Sequence, residues 1–238
     1  MNRHILSVCA LALAALLSVF SASCRRSSSA GQDPPSVQTA GIAEPTPGET
    51  EAEPVRPVRT CVMLGDSLTA RGDFSPYFAS VTVVNLGISG DTIAGVTERL
   101  EQAAEPEPDL LMILCGINSL SDDTFEQCLE EYRLLASEAA TLQGDTRIVL
   151  QSVLPVDELF QTRRACSDET IRAFNDGIRT IAEEYGFDYL DLYPAFAAGH
   201  VIDPDLTTDG LHLNEKGYDV WAELIRPYIE PDPPAMAP

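Results

Sequence analysis

Between residues 59 and 231 the chain alternates short apolar runs with longer stretches of helical spacing. The runs at 60–64, 82–86, 110–115, 147–151 and 188–192 have the length of strands buried on both faces. In "DTIAGVTERLEQAAE" Ile93, Val96 and Leu100 recur at i, i+3 and i+7. "DDTFEQCLEEYRLLASEAATL" aligns Phe125, Leu129, Tyr132 and Ala136 behind a first turn of acids, which a helix dipole favours. "SDETIRAFNDGIRTIAEEYG" carries Ile171, Phe174, Ile178 and Ile181 between a candidate N-cap at Ser167 and a stop at Gly186. "EKGYDVWAELIRPYI" adds Tyr218, Trp221, Leu224 and Ile225. Strands alternating with such helices predict an α/β domain, a parallel sheet with helices on both faces. Ligands of these sheets sit at the carboxyl ends of the strands. Polar residues at those ends are therefore the first candidates for chemistry.

The flanks lack this pattern. Residues 24–58 are rich in Ser, Pro, Gly and Glu. They offer too little apolar surface to offset their ordering entropy, which predicts a flexible tether. Residues 232–238, at the Pro-rich end, read as a disordered tail. Residues 1–23 read as a signal peptide: a basic start, the apolar run "ILSVCALALAALLSVF", then "SAS" before Cys24. That run falls short of the roughly 20 residues of a spanning helix. The small residues before Cys24 resemble the lipobox of bacterial lipoproteins, although Ser21 stands where a large aliphatic residue is usual. The resemblance implies that Cys24 becomes a lipidated first residue and anchors an exported domain; otherwise the chain would be secreted or periplasmic.

Charge narrows the partners. The formal net charge is −22, and residues 59–238 hold 11 Lys and Arg against 32 Asp and Glu. Such a surface repels phosphate backbones and anionic lipid, which argues against nucleic acid and against membrane adhesion through a basic patch. Neutral substrates, or esters that release an acid, suit it better. Cys61 and Cys115 fall at strand ends and read as core. Cys128 and Cys166 could pair if the protein is exported, but spacing does not fix connectivity. No Cys-x-x-Cys or clustered His suggests a metal.

Four polar groups stand at the predicted strand ends. Ser67 follows the first strand in "CVMLGDSLTA", Gly90 follows the second in "NLGISGDT", and Asn118 follows the third in "CGINS". Asp209 and His212 precede the last helix in "TDGLHLNEKGY". A serine hydroxyl needs a base to take its proton, and the base works best when a carboxylate fixes its tautomer. His212, with Asp209 three residues before it and Gly210 for a tight turn, suits that role; His200, in "AAGHVI", has no acid at useful spacing. The N–H groups of Ser67 and Gly90 and the Asn118 amide could meet a developing oxyanion. Each signal has an ordinary alternative: Ser67 a turn cap, Gly87 and Gly90 turn formers, Asn118 a helix cap, Asp209 an Asx-turn. Their conjunction at successive strand ends favours the chemical reading.

These blocks resemble those of the SGNH (GDSL) hydrolase family: GDSL at 65–68, the glycine of "GISGDT", Gly116-Ile117-Asn118 and Asp209-x-x-His212. The resemblance spans roughly residues 60–230, so that 59–231 form the hydrolase domain. It implies a flavodoxin-like three-layer α/β/α sandwich with a parallel sheet of about five strands. By position, Ser67 would be the nucleophile, His212 the base and Asp209 its orienter, with Ser67, Gly90 and Asn118 as the oxyanion hole. No cofactor or metal is implied. "GISGDT" and "DGLHLNEKGY" are most similar to the acetylhydrolase and lysophospholipase-like branch. Many members carry an acid after the third-block asparagine, where this chain has Ser119. The expected activity is removal of a short acyl or O-acetyl group from a small-molecule or glycan ester. An acyltransferase acting on a cell-envelope glycan, a lysophospholipase or thioesterase, and a non-catalytic carbohydrate-binding module remain the rivals.

Two outcomes follow for the N-terminal region. Cys24→Ala should release the protein from the membrane fraction while leaving hydrolysis unchanged; identical fractionation of variant and parent would refute lipidation. Deleting most of residues 25–58 should leave the melting temperature nearly untouched, whereas a large fall would show that the segment packs on the domain.

Overall fold

The structure, a computed structural model, describes residues 57–142 and 145–230. The signal peptide, Cys24, all but the last residues of the tether, and the tail lie outside the described residues. Five strands, β1 (Thr60–Gly65), β2 (Thr82–Gly87), β3 (Leu110–Leu114), β4 (Arg147–Gln151) and β5 (Asp188–Leu190), form one parallel sheet in the order β2-β1-β3-β4-β5. This is the doubly wound order whose direction reverses between β1 and β3. The chain after each of those strands therefore leaves in an opposite direction and opens a crevice between them.

Alternation along β1 sorts its side chains into two cores. Val62 and Leu64 pack with Ile93, Val96, Tyr132 and Phe174 on one face, while Cys61 and Met63 pack with Leu68, Trp221 and Ile225 on the other. The first face is covered by α2 (Ile93–Glu98), α3 (Leu100–Ala104), α4 (Phe125–Ala139) and α6 (Asp168–Tyr185). The second is covered by α1 (Ser67–Ala70), α7 (Tyr193–Phe196) and α8 (Glu215–Ile229). The three-layer α/β/α sandwich expected from the sequence is the observed fold. α6 begins at a Ser167 cap, whose Oγ accepts from the Thr170 N–H at 3.2 Å, and ends at Gly186 in the left-handed region.

Three features depart from the periodic reading. The stretch from 91 to 105 is two short helices that meet at Arg99. α5 (Glu158–Arg164) buries none of its residues and so shows no apolar period. A two-stranded hairpin, β6 (Ala197–Ala198) with β7 (Val201–Ile202), precedes the segment that carries Asp209 and His212. Cys61, Cys115, Cys128 and Cys166 are all buried free thiols, so the Cys128–Cys166 pairing left open by the sequence is absent from the described structure. Burial pushes the Cys61 and Cys166 thiols up to about 12.

At the end of β1 the chain buries a carboxyl. Asp66 is fully buried, its Oδ1 accepts from the Leu68 N–H at 2.9 Å, and Oδ2 has no partner among the described residues. Burial pushes its pKa up to about 7, the Leu68 bond opposes this, and the Asp91 charge adds to it. The folded protein thus keeps a proton that the unfolded chain loses near pH 4. Stability should fall as pH rises from about 4 to about 7 and level off above. Asp66→Asn keeps the accepting oxygen but cannot ionise. Relative to the parent it should gain up to about 4 kcal/mol across that interval. Urea unfolding at pH 5, 6, 7 and 8 would check this; parallel pH profiles in the two proteins would contradict it.

Candidate active site

The reversal between β1 and β3 places Asp66-Ser67 beside Gly116-Ile117-Asn118, the segments that follow those two strands. Ser67 is the first residue of α1, and the cap of that helix is Asp66. The hydroxyl of Ser67 is thereby free for another partner. It lies 3.1 Å from Nε2 of His212, across 145 residues of sequence.

His212 is held from the other side by Asp209. Its Nδ1 lies 2.8 Å from Asp209 Oδ2, and Asp209 Oδ1 accepts the backbone N–H of His212 at 2.8 Å and of Leu211 at 3.2 Å. Asp209 is therefore an Asx-turn and an imidazole partner at once. Burial works against ionisation of this carboxyl, but the bonds from His212 and Leu211 prevail and hold it at about 2. An ionised carboxylate can only accept, so Nδ1 donates to Asp209, and in a neutral imidazole that tautomer leaves Nε2 as the acceptor facing Ser67. Gly210 makes the turn with φ +83°, a conformation that favours glycine. The loop is braced further by Asp157, whose N–H donates to the Gly210 carbonyl at 2.8 Å, and by Thr207, whose hydroxyl donates to the His212 carbonyl at 2.7 Å.

Gly90 and Asn118 meet through Asp91. The Asn118 amide Nδ2 donates one hydrogen to the Asp91 carbonyl at 2.9 Å, which leaves its second hydrogen unused by that bond. Gly90 has φ +82°, and a Cβ there would touch nothing within 4 Å. Backbone conformation, not crowding, is what calls for glycine at this position. Among the described residues neither the Gly90 N–H nor the Ser67 N–H has an acceptor. Ser119, whose role its sequence position does not suggest, accepts the Ile93 N–H at 3.1 Å and so ties the third block to the start of α2.

All five candidate residues of the domain thus lie at the carboxyl ends of the sheet or in the loop that faces them. His200 stands apart. It is exposed on the β6–β7 turn and pairs with Asp168, 32 residues earlier, at 3.1 Å, a partner that sequence spacing did not reveal. An open cavity of about 590 Å³ beside this pair is lined by Asp168, Arg172 and His200 and by none of the Ser67 cluster. Sequence reading also missed Arg164, which donates to the Asn118 carbonyl at 2.7 Å from the unperiodic α5, and Arg99, which donates to the Gly65 carbonyl at 3.2 Å. Among the described residues no group of three or more His, Cys, Asp or Glu could hold a metal ion.

Comparison with known proteins agrees with this fold. The profile of the GDSL-like lipase/acylhydrolase family matches residues 63–220. A lipase/acylhydrolase from Enterococcus faecalis is 25% identical, with a TM-score of 0.59 over 72% of this chain and 95% of that one. A GDSL-like lipase from Bacteroides thetaiotaomicron has the same fold at 22% identity, with a TM-score of 0.62 over 72% of this chain and 88% of that one. An acetyl xylan esterase also shares it at 17% identity, with a TM-score of 0.60 over 71% of this chain and 99% of that one. Among curated proteins none matches. With two thirds of its length inside the family profile and the family fold around Ser67, the chain belongs to the GDSL-like lipase/acylhydrolase family and is a serine ester hydrolase.

Proposed function

We propose that Ser67, His212 and Asp209 work as one catalytic unit on short acyl esters, with O-acetyl groups of small molecules or glycans as the substrate class. The observation that carries this reading is the continuous row from the Ser67 hydroxyl through both imidazole nitrogens to an ionised Asp209. As Ser67 Oγ attacks the ester carbonyl, its proton passes to Nε2 of His212. The C–O bond to the alcohol then breaks, and His212 returns the proton to the departing oxygen. Water, deprotonated by the same nitrogen, attacks the acyl-enzyme and releases the acid. The negative charge on the carbonyl oxygen in both steps is met by the N–H groups of Ser67 and Gly90 and by the second hydrogen of the Asn118 amide. Donors of this kind are most effective when they are fixed before reaction. The apolar N-terminal run and Cys24 support export and a lipid anchor for the same enzyme.

Hydrolysis of p-nitrophenyl acetate and of longer-chain esters by purified variants tests the assignment. Ser67→Ala and His212→Ala should each lower turnover by roughly 10⁴-fold or more, and the double variant hardly further. Asp209→Asn should cost somewhat less, because nucleophile and base remain but the tautomer is no longer fixed. Asn118→Ala should lower kcat by about 10²–10³ with little change in KM. His200→Ala should cost little, despite its pairing with Asp168. The roles fail if His200→Ala abolishes turnover while His212→Ala retains it, or if folded Ser67→Ala still forms an acyl-enzyme.

A further inference from the structure

Arg99 sits where the helical run from Ile93 to Ala104 is interrupted, its backbone at φ −104° and ψ 8°. Its side chain turns back toward the sheet and is only 15% exposed. Nε donates to Asp91 Oδ2 at 3.1 Å, and Nη2 donates to that same oxygen. Nη2 also donates to the Gly65 carbonyl at 3.2 Å, and Nη1 to the Leu86 carbonyl at 2.6 Å. Four of the five guanidinium N–H groups are thus engaged.

Each of these partners belongs to a segment that supplies an oxyanion donor. Gly65 ends β1, two residues before Ser67. Leu86 lies in β2, four residues before Gly90, and Asp91 directly follows Gly90. The Asp91 carbonyl in turn takes the Asn118 amide hydrogen. One planar group therefore fixes the spacing of all three segments, two directly and the third through Asp91. A largely buried ion pair is a weak source of net stability, because desolvation offsets the attraction. A rigid fork is a good source of geometry, which a flexible ammonium does not replace.

We propose that Arg99 is a positioning residue for the oxyanion hole. It touches no substrate; it sets where the N–H groups of Ser67 and Gly90 and the amide of Asn118 stand relative to one another. A displacement of about 1 Å at such a site can cost on the order of 10²-fold in rate.

The inference rests on the serine-hydrolase reading, so the parent and Ser67→Ala are assayed first with p-nitrophenyl acetate. If Ser67→Ala is as active as the parent, that reading falls and this inference with it; if Ser67 is required, the Arg99 variants decide the inference alone. Arg99→Gln should lower kcat by about 10–100-fold with KM within about threefold. Arg99→Lys should keep the charge without restoring kcat. Guanidinium ion at low millimolar concentration should restore part of the turnover of Arg99→Ala and none of that of Asn118→Ala. Arg99→Gln combined with Asn118→Ala should lose less than the product of the single losses, since both act on one oxyanion. Parental kcat in folded Arg99→Gln, a loss confined to KM, or multiplicative losses in the double variant would overturn the proposal. Should Arg99→Gln fail to fold, Arg99→Lys and the guanidinium response of Arg99→Ala decide it: parental kcat in the first, or no response in the second, overturns it.

Discussion

The 3.1 Å separation of Ser67 Oγ and His212 Nε2 joins segments 145 residues apart, and most of the second face of the sheet serves to maintain it. Ser67 moves with α1, and His212 with the loop that enters α8. Those two elements are fastened together. The Tyr218 hydroxyl donates to the Leu68 carbonyl at 2.8 Å, and Phe74 meets Trp221 edge to face at a centroid distance of 5.0 Å. Trp221 in turn anchors α8 to the sheet through a 2.8 Å bond from its indole N–H to Gln151. Asn214 caps α8 and donates to the Asp205 carbonyl at 2.8 Å, so the start of the helix and the base of the His212 loop are one unit. Buried packing of this kind cannot slide gradually, which is why a reactive contact can be held without a covalent link.

Around that contact two aspartates have opposite electrostatics. Asp209 accepts three hydrogen bonds and is held at about 2, ionised throughout the range in which the enzyme would act. Asp66 accepts one, faces the charge of Asp91, and is pushed up to about 7. An ionised Asp66 next to Ser67 would oppose the negative charge that the proposed attack creates on the substrate, whereas a neutral one would not. In a chain with 37 acids against 15 basic residues, the arrangement of the few arginines matters correspondingly. Arg99 and Arg164 both lie against the loops that hold Gly90 and Asn118.

What could be read in the sequence was what short-range pattern controls. The strands at 60–64, 82–86 and 147–151 match the observed ones to within a residue: β1 and β4 are buried for most of their length, whereas β2, at the edge of the sheet, is only partly buried and is marked by Val83, Val84 and Leu86. Ser167 and Gly186 bounded α6 because cap chemistry is local. Asp209 and His212 were legible as a pair because they sit on one turn, and Ser67 could be added because parallel sheets expose their strand ends to a common crevice. The rest depended on contacts across the fold. The break at Arg99 is made by carbonyls on two other elements, α5 contributes no buried side chain to give it a period, and His200 meets an acid 32 residues away. None of these leaves a trace in spacing.

In the proposed reaction the Ser67 hydroxyl is the nucleophile, and Ser67, Gly90 and Asn118 surround the carbonyl oxygen of the ester it attacks. A crystal structure of the enzyme after reaction with diethyl p-nitrophenyl phosphate tests this directly, because the phosphoryl oxygen stands where the oxyanion would. The expected result is a covalent bond from Ser67 Oγ to phosphorus, with that oxygen about 2.7–3.1 Å from the N–H nitrogens of Ser67 and Gly90 and from Nδ2 of Asn118. An adduct on another residue, or a Ser67 adduct whose phosphoryl oxygen points away from Gly90 and Asn118, would contradict it.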